Sequence, residues 1–277
     1  VSAEIASRGA DNLSPLRFMP SHRELSPLTG AVNQLLERLR LARERERGFI
    51  ADAAHELRTP IAAMQVHAEA LHNRRVANDD DALLQGLLKS NERAGRLVSQ
   101  LLALTRSDAA ADLRPMTDVD MATLVPEALA PWAAVARTRN VELVLESCPR
   151  AVVRGDDEPL RMLIDNLVGN AIKYSPPGAT VNVTVSHADG AVRLEVLDQG
   201  PGIAADQRAR VFDRFYRAPG QAHAGSGLGL AIAKTVADRH GATIELGDGD
   251  DGQGLRVTLR VADGSSRLNR CAAPASC

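Results

Sequence analysis

FIADAAHELRTPIAAMQVHAEAL, residues 49–71, is the stretch that decides the fold. Its apolar residues recur three and four positions apart, at Ile50, Ala53, Leu57, Ile61, Met64, Ala68 and Leu71. This spacing is typical of the buried seam of a helical bundle. If Ile50 takes the first heptad position, His55 falls on the position farthest from the seam. The stretch therefore predicts a bundle helix that holds one imidazole out in water.

Polar neighbours surround this exposed imidazole. Glu56 follows His55 directly, and Thr59 lies one helical turn further on the same face. Pro60 removes an amide donor from the helix and crowds the preceding turn, at a cost of roughly 3 kcal/mol. A costly residue one turn after the histidine indicates a functional segment rather than a purely structural one.

The sequences on either side predict more helix. Leu25 to Glu46 has an apolar repeat of its own that is out of phase with the next one, so we expect a stutter at Arg43–Arg47. Downstream, a polar turn at Asn73–Asp81 precedes a second seam, made of Leu83, Leu87, Ser90, Ala94, Leu97, Leu101 and Leu104. The two seams predict an antiparallel hairpin, and the surplus leucines favour dimerisation into a four-helix bundle.

Composition limits the classes of function. The 277 residues suffice for about two domains, and a net charge of -2 gives no general reason to expect nucleic-acid binding. The three cysteines show no metal-binding spacing, which favours a reducing compartment. No run of about 18 apolar residues is present. Because the chain begins at Val1, we expect a fragment whose upstream part is missing.

From about Met116 the pattern changes to alternating helices and strands, which predicts an α+β sandwich with a mostly antiparallel sheet. Helices are expected at Thr123–Arg139, Glu158–Lys173 and Leu228–His240. Strands are expected at Val141–Glu146, Ala151–Arg154, Thr180–Ser186, Val192–Leu197, Thr243–Leu246 and Leu255–Val261.

Three stretches of this second half could bind a metal-nucleotide. Asn166, Asn170 and Lys173 share one helix face, where amide oxygens suit Mg²⁺ and an ammonium suits phosphate; two solvent-facing asparagines are the alternative. Asp198 opens a glycine turn, DQGPGI, and its carboxylate can accept from an exocyclic amine such as that of adenine, although an ordinary turn would look the same. GSGLGL, residues 225–230, leads into a helix whose free amides can bind an anion.

The order of these stretches after the histidine helix resembles the sensor histidine kinases of bacterial two-component systems. The histidine stretch is similar to the H box of that family, and the later boxes follow at Asn166–Tyr174 (N), Asp198–Ile203 (G1), Phe212–Phe215 (F) and 225–230 (G2). Ser226 stands where the family often has threonine. The resemblance covers about Leu25 to Val261.

The resemblance implies the fold, the domains and the site. It implies a dimeric four-helix bundle followed by an α/β-sandwich ATP-binding domain of the GHKL (Bergerat) type. The implied segments are a HAMP-linker remnant (1–46), a dimerisation and histidine phosphotransfer domain (47–110), a hinge (111–118), a catalytic ATP-binding domain (119–263) and a tail (264–277). The implied nucleotide-binding residues are Asn166, Asn170, Lys173, Tyr174, Asp198, Gly200, Gly202, Ile203, Arg214, Arg217, Gly225, Gly227, Leu228, Gly229 and Leu230.

The activity implied by the resemblance is phosphorylation of His55 from ATP, with Mg²⁺ bound by Asn166 and Asn170. Glu56 would orient or accept the imidazole proton, and Thr59 would align water in a phosphatase reaction. The phosphoryl group would pass to an aspartate of a response regulator. The resemblance also implies a homodimer that belongs to an inner-membrane sensor.

Two other readings of the sequence remain. One is a GHKL-type ATPase that hydrolyses ATP with water, but such an enzyme needs a carboxylate where Asn166 stands. The other is a dimeric scaffold that binds nucleotide or a response regulator without phosphotransfer. The presence of His55, Glu56 and the nucleotide-binding boxes in one chain favours the kinase.

Overall fold

The chain divides into two compact units in the computed structural model, which describes residues 26–72, 80–109, 115–188, 190–218 and 226–263. The first unit ends at Asn91 and the second begins at Glu92. Several predicted features lie outside the described residues, namely the first 25 residues of the HAMP-linker remnant, most of the hairpin turn, most of the hinge, the tail and Gly225.

The helical part consists of α1, Ser26–His72, and α2, Asp80–Ala109. The prediction of two long helices is confirmed. The upstream helix and the histidine helix are nevertheless one continuous element of 47 residues, so the expected stutter at Arg43–Arg47 does not interrupt the helix. Pro60 lies inside α1 as well. A change in seam phase alters which face is apolar, and it does not break the backbone hydrogen-bond ladder.

The predicted seam of α1 is only partly buried within one chain. Ala53 and Pro60 are buried, whereas Ile50 is 59% exposed and Ile61 is 50% exposed. The sequence predicts this seam for a dimeric four-helix bundle, so the two isoleucines stay exposed in the single chain and their burial by a second hairpin remains a prediction. The reason is that one neighbouring helix can cover only one flank of a wide apolar stripe. On α2, Leu84 and Leu88 are exposed in the same way.

Close packing of the hairpin is visible at one position of the first unit. An ideal Cβ on Gly86 of α2 would lie 2.7 Å from Cε1 of His67 on α1. Glycine is therefore needed here for the backbone of α2 to approach the imidazole. His67 faces the neighbouring helix and not the solvent-exposed face that carries His55.

The second unit is an α+β sandwich, as predicted. Besides the end of α2, its helices are α3, Met121–Thr138, α4, Asp157–Tyr174, and α5, Gly229–Arg239. Its strands are β1 (Thr117–Asp120), β2 (Glu142–Ser147), β3 (Val152–Gly155), β4 (Thr180–Ala188), β5 (Ala191–Leu197), β6 (Thr243–Asp248) and β7 (Leu255–Ala262). Strand β1, which is short and mostly polar, was not predicted from the sequence.

The main sheet has five strands in the order β2-β4-β5-β7-β6. The pair β2 and β4 is parallel, and the other neighbours are antiparallel. The strands β1 and β3 form a separate antiparallel pair. Side chains of β4 alternate strictly, with Val181, Val183 and Val185 buried. One face of the sheet thus belongs to the core.

Helix α4 lies between α3 and α5 and contacts both. Its apolar face, which includes Leu163 and Ile164, is fully buried. Trp132 of α3 packs directly over Gly169, because a Cβ there would lie 2.6 Å from Cη2 of the indole. The indole Nε1 also donates to Oδ1 of Asp165 at 2.9 Å. These contacts fix the rotation of α4 and leave Asn166 and Asn170 on its half-buried face.

Candidate nucleotide and phosphoacceptor sites

The two asparagines of α4 lie against the first residue of α5. An ideal Cβ on Gly229 would lie 3.1 Å from Oδ1 of Asn166 and 3.2 Å from Nδ2 of Asn170. The asparagine pair and the glycine-rich start of α5 are distant in sequence, and the fold brings them together. The backbone N–H groups at the start of α5 therefore lie next to two carboxamide side chains. The N–H groups suit a phosphate, and the carboxamide oxygens suit a cation bound to that phosphate.

Hydrogen bonds set the orientation of Asn166. Its Nδ2 donates to the carbonyl of Met162 at 2.8 Å, one turn earlier in α4. The remaining atom, Oδ1, accepts from Nε2 of Gln100 at 3.4 Å. Ser226 donates from its hydroxyl to Oε1 of the same glutamine at 3.0 Å. Gln100 belongs to the second unit and lies outside every motif, so it was not predicted as a site residue from the sequence.

Asp198 is 6% exposed at the end of β5. Its Oδ1 accepts from the amides of Gly200 at 2.8 Å and Leu255 at 3.1 Å. Burial raises the pKa of this carboxyl, and the two amides oppose that shift. Within the part of the chain that the structure describes, Oδ2 accepts no hydrogen bond. One carboxylate oxygen is therefore held rigidly, and the other can accept from a ligand amine.

The glycines around Asp198 permit close backbone approach. A Cβ on Gly200 would lie 2.9 Å from the carbonyl oxygen of Tyr174, so the G1 turn touches the end of α4. Gly202 has a φ of +70° and faces the carbonyl of Gly254. A Cβ on Gly254 would lie 1.8 Å from the carbonyl oxygen of Asp198. Gly254 was missed by sequence reasoning because it looks like an ordinary turn residue between β6 and β7.

The end of α4 differs from the predicted arrangement. Lys173 was expected to face phosphate, yet its Nζ donates to the hydroxyl of Tyr174 at 3.0 Å and lies 4.5 Å from the centre of that ring. Its ammonium is thus directed at the tyrosine in this structure. The hydroxyl of Ser175 is buried and has no hydrogen-bond partner among the described residues. Ser175 directly follows Lys173 and Tyr174, two of the residues predicted to bind nucleotide.

The F box and the G2 box meet through their backbones. The amide of Phe215 donates to the carbonyl of Gly227 at 3.1 Å. Both residues have positive φ, +63° for Phe215 and +71° for Gly227. A non-glycine residue in this region is uncommon and costs free energy, so the contact must be maintained by its surroundings.

The remaining predicted binding residues surround these contacts. Ile203 accepts through its carbonyl from Nε of Arg208 at 3.0 Å. Leu228 is fully buried, and its amide donates to the Ser226 hydroxyl at 3.4 Å. Leu230 and Arg214 are half-buried, and Arg217 is exposed.

The predicted phosphoacceptor residues lie in the first unit. His55 and Thr59 are exposed, and Glu56 is half-buried. The chain thus carries an accessible imidazole on one compact unit and a convergent set of amide, carboxylate and glycine residues on the other.

Comparison with known families identifies both the helical part and the α+β sandwich by class. Residues 45–110 match the family described as His Kinase A (phospho-acceptor) domain. Residues 155–264 match the family described as histidine kinase-, DNA gyrase B-, and HSP90-like ATPase. The fold and the site thus define a phosphoacceptor helical hairpin joined to an ATPase domain. The chain belongs to the sensor histidine kinases of bacterial two-component systems.

Individual relatives agree with this assignment. Over 263 residues the chain is 39% identical to the sensor protein kinase PmrB of Pseudomonas aeruginosa, a match that covers 94% of this chain and 54% of PmrB. It is 37% identical over 252 residues to the sensor protein QseC of Escherichia coli, a match that covers 88% of this chain and 54% of QseC. The chain spans about half the length of the curated relatives it matches.

A solved structure extends the likeness in fold. Histidine kinase ThkA, in complex with response regulator protein TrrA, superposes with a TM-score of 0.64 at 19% identity, covering 90% of this chain and 69% of that one. At this identity the likeness concerns the fold alone. Among the helices that the structure describes, we find none with the length and apolar character required to cross a membrane.

Proposed function

We propose that this chain phosphorylates itself on His55 from Mg-ATP and passes the phosphoryl group to an aspartate of a response regulator. One observation carries the proposal. An exposed histidine on a phosphoacceptor hairpin occurs in the same chain as an ATPase domain whose asparagines, aspartate and glycines converge. The first feature provides an acceptor, and the second provides a place for the donor.

The residues present fit a magnesium-bound adenine nucleotide. Oδ1 of Asn166 is the outward atom of a side chain already fixed by Met162, and an amide oxygen is a suitable ligand for Mg²⁺. The lack of a Cβ at Gly229 leaves room beside it. Oδ2 of Asp198 is available to accept from the exocyclic amine of adenine. When bound, Mg-ATP supplies the phosphoryl group and, through the metal, partial neutralisation of its charge.

His55 acts as the nucleophile in this proposal: a ring nitrogen would form a bond to the γ-phosphorus while the bond from that phosphorus to the oxygen of ADP breaks, and ADP leaves. Its exposed ring offers one nitrogen lone pair, and a proton on the other nitrogen becomes more acidic as positive charge builds in the ring. Glu56, the next residue, is half-buried and supplies the base or orienting acceptor for that proton. Thr59 lies one turn away and would align water in a phosphatase reaction.

We infer that the working form is a homodimer. The exposed isoleucines of α1 and leucines of α2 form an apolar surface that one chain leaves uncovered. A second hairpin would cover it and complete a four-helix bundle. Membership of the sensor histidine kinases of two-component systems supports a response regulator as the partner of this chain.

A hydrolytic ATPase or a non-catalytic scaffold is less well supported. Hydrolysis would require a carboxylate at the position of Asn166 to activate water. The neighbouring Asp165 does not substitute for it, because its Oδ1 accepts from Trp132 on the other side of α4. Neither alternative explains an accessible histidine in a phosphoacceptor family.

Acid-labile labelling tests the kinase. Wild-type protein incubated with Mg²⁺ and γ-labelled ATP should acquire label that is lost in acid, and His55→Gln should acquire none. His187→Gln is the matched control, since His187 is an exposed histidine on β4 outside both sites. Labelling of His55→Gln at the wild-type level would reject His55 as the acceptor. Release of free phosphate without labelled protein would favour the ATPase.

The segment boundaries and membrane association are also proposals. We propose domains at 47–110 and 119–263, with a HAMP-linker remnant before them and a hinge at 111–118. We further propose that the chain acts in the cytoplasm as part of an inner-membrane sensor. Limited proteolysis that cleaves first at 111–118 supports the boundaries, and fractionation of the natural protein with the inner membrane supports the location.

A further inference from the structure

Gln100 connects two parts of the nucleotide site that the family motifs treat separately. Its Nε2 donates to Oδ1 of Asn166 at 3.4 Å, and its Oε1 accepts from the hydroxyl of Ser226 at 3.0 Å. Asn166 belongs to α4, and Ser226 immediately precedes α5. A single carboxamide from α2 therefore spans the gap between the N box and the G2 box.

The position of Gln100 is supported by its own helix. Leu97 and Leu104 lie three residues before and four residues after it, so all three side chains share one face of α2. Leu97 is 5% exposed and Leu104 is 1% exposed. The face of α2 that presents Gln100 is thus packed both before and after this residue.

The polar groups that Gln100 uses are those a metal-nucleotide needs. A cation on Oδ1 of Asn166 would meet the positive end of the Gln100 N–H bond. A phosphate oxygen next to the Ser226 hydroxyl would meet the carbonyl oxygen of Gln100, which is also an acceptor. Both encounters place like partial charges together, so Gln100 and a bound metal-phosphate group exclude each other.

We propose that Gln100 determines the nucleotide affinity of this kinase by competing with Mg-ATP for Asn166 and Ser226. The carboxamide must leave both partners before the metal-phosphate group binds. Release of α2 from the site and nucleotide binding are then coupled, so each favours the other. This inference rests on the proposed function, since it assumes that the pocket binds Mg-ATP.

Two substitutions of Gln100 test the competition. Gln100→Met keeps the length and approximate volume of the side chain but has no group that can hydrogen-bond to Asn166 or Ser226, and Gln100→Ala removes the side chain. Both should lower the dissociation constant of a non-hydrolysable Mg-ATP analogue about three- to tenfold, the effect expected for two neutral hydrogen bonds. Wild-type or weaker binding by Gln100→Met overturns the proposal.

Ser99→Ala is the matched control. Ser99 is the preceding residue, is exposed, and donates its hydroxyl to the carbonyl of Gly95 in its own helix at 3.0 Å. Its replacement should leave the dissociation constant unchanged. The fluorescence of Trp132, the single tryptophan, reports whether each variant keeps the ATPase fold.

A second readout does not depend on catalysis. Cysteines placed at Gln100 and Ser226, in a chain whose three native cysteines are replaced by serine, should react with a short bifunctional thiol reagent to give an internal cross-link. Excess Mg²⁺ with the ATP analogue should suppress it. A cross-link without any nucleotide binding would reject the proposed function and retain the contact. If nucleotide binds, no cross-link forms and the Gln100 variants bind nucleotide as wild type does, this inference alone is rejected.

Discussion

Gly229 lies so close to Asn166 that a single added methyl group would sit 3.1 Å from its Oδ1. The same methyl group would lie 3.2 Å from Nδ2 of Asn170. Both distances are shorter than ordinary van der Waals contacts. The first residue of α5 and the two proposed metal ligands are therefore one packing unit, and a change at the glycine must move the asparagines.

We expect Gly229→Ala to weaken binding of a Mg-ATP analogue about tenfold, because displacing tightly packed side chains typically costs 1–3 kcal/mol. Titration calorimetry measures the effect. Gly95→Ala serves as the control, since a Cβ there meets nothing within 4 Å, and its affinity should equal that of wild type. Equal affinity of Gly229→Ala and wild type would contradict the proposed metal site.

Gly227 and Gly241 allow backbone strain to be separated from steric overlap. Their φ values are similar, +71° and +61°. A Cβ on Gly227 would lie 2.6 Å from the carbonyl carbon of Phe215, whereas one on Gly241 meets nothing within 4 Å. Gly241→Ala should cost only the conformational strain of about 1–2 kcal/mol. Gly227→Ala should also break the contact between the F and G2 boxes and abolish measurable nucleotide binding.

Thermal unfolding followed by Trp132 fluorescence and nucleotide titration together check this pair. The expected pattern is a lower melting temperature for both variants and a loss of binding for Gly227→Ala alone. Equal nucleotide affinities in the two variants would mean that the overlap with Phe215 is relieved without disturbing the site.

Asp198→Asn should weaken adenine nucleotide binding by tenfold or more, because a hydrogen bond to a charged acceptor is worth about 1.5–3 kcal/mol. The side-chain oxygen of asparagine can still accept from the two backbone amides. Its NH₂ group then faces the adenine amine, and two hydrogen-bond donors cannot pair. Asp206→Asn, a change at an exposed aspartate in the following loop, is the control. Retention of full affinity in Asp198→Asn would remove this carboxylate from base recognition.

Acidification should weaken nucleotide binding to wild type through the same carboxylate. Burial raises the pKa of Asp198, so its proton is taken up at a higher pH than that of an ordinary aspartate. The protonated group loses its acceptor charge toward the adenine amine. Affinity measured at decreasing pH should therefore fall in wild type relative to Asp198→Asn. Parallel pH profiles of the two proteins would argue against this origin.

His240 should make the stability of the ATPase domain depend on pH. Its Nδ1–H donates to the carbonyl of Val236 at 2.7 Å, and its Nε2 accepts from the amide of Asp156 at 3.0 Å, so the ring is held neutral. Burial lowers its pKa. The unfolded chain, with an ordinary histidine pKa of about 6.5, then binds more protons near and below that pH. Stability is therefore greatest above this value and decreases as the pH falls through it.

Urea unfolding of wild type and His240→Gln between about pH 8 and pH 5 measures this dependence. The variant should be less stable at high pH, because the glutamine cannot reproduce both hydrogen bonds. The difference between the two proteins should shrink as the pH falls. Because carboxylates elsewhere titrate in both proteins, this difference is the quantity to compare, and a constant difference would contradict the assignment.

Local patterns were sufficient to predict the elements that bury one face. Helix α4 and strand β4 have clear apolar periods of 3.6 and 2, and both were located to within a few residues. Strand β1 was missed because its four residues alternate weakly and pair only with the short β3. The expected stutter is compatible with the continuous α1, since a shift in seam phase changes the apolar face without breaking the helix.

The site was predictable where a motif carries the chemistry directly. Asn166, Asn170 and Gly229 were identified from spacing and glycine content, and they converge in the fold. Gln100 and Gly254 could not be found in this way. Their roles arise from contacts with residues 66 and 56 positions away, and neither residue type is unusual in its local sequence.

The asymmetric hydrogen bonding of Asp198 bears on inhibitor design. Its Oδ1 is already shared by two backbone amides, so an amidine that addresses both carboxylate oxygens would have to displace one of them. A head group with a single well-placed N–H, such as an aminopyridine, suits the remaining oxygen better. Selectivity against other purine-binding enzymes would then depend on the shape of the scaffold around that one donor.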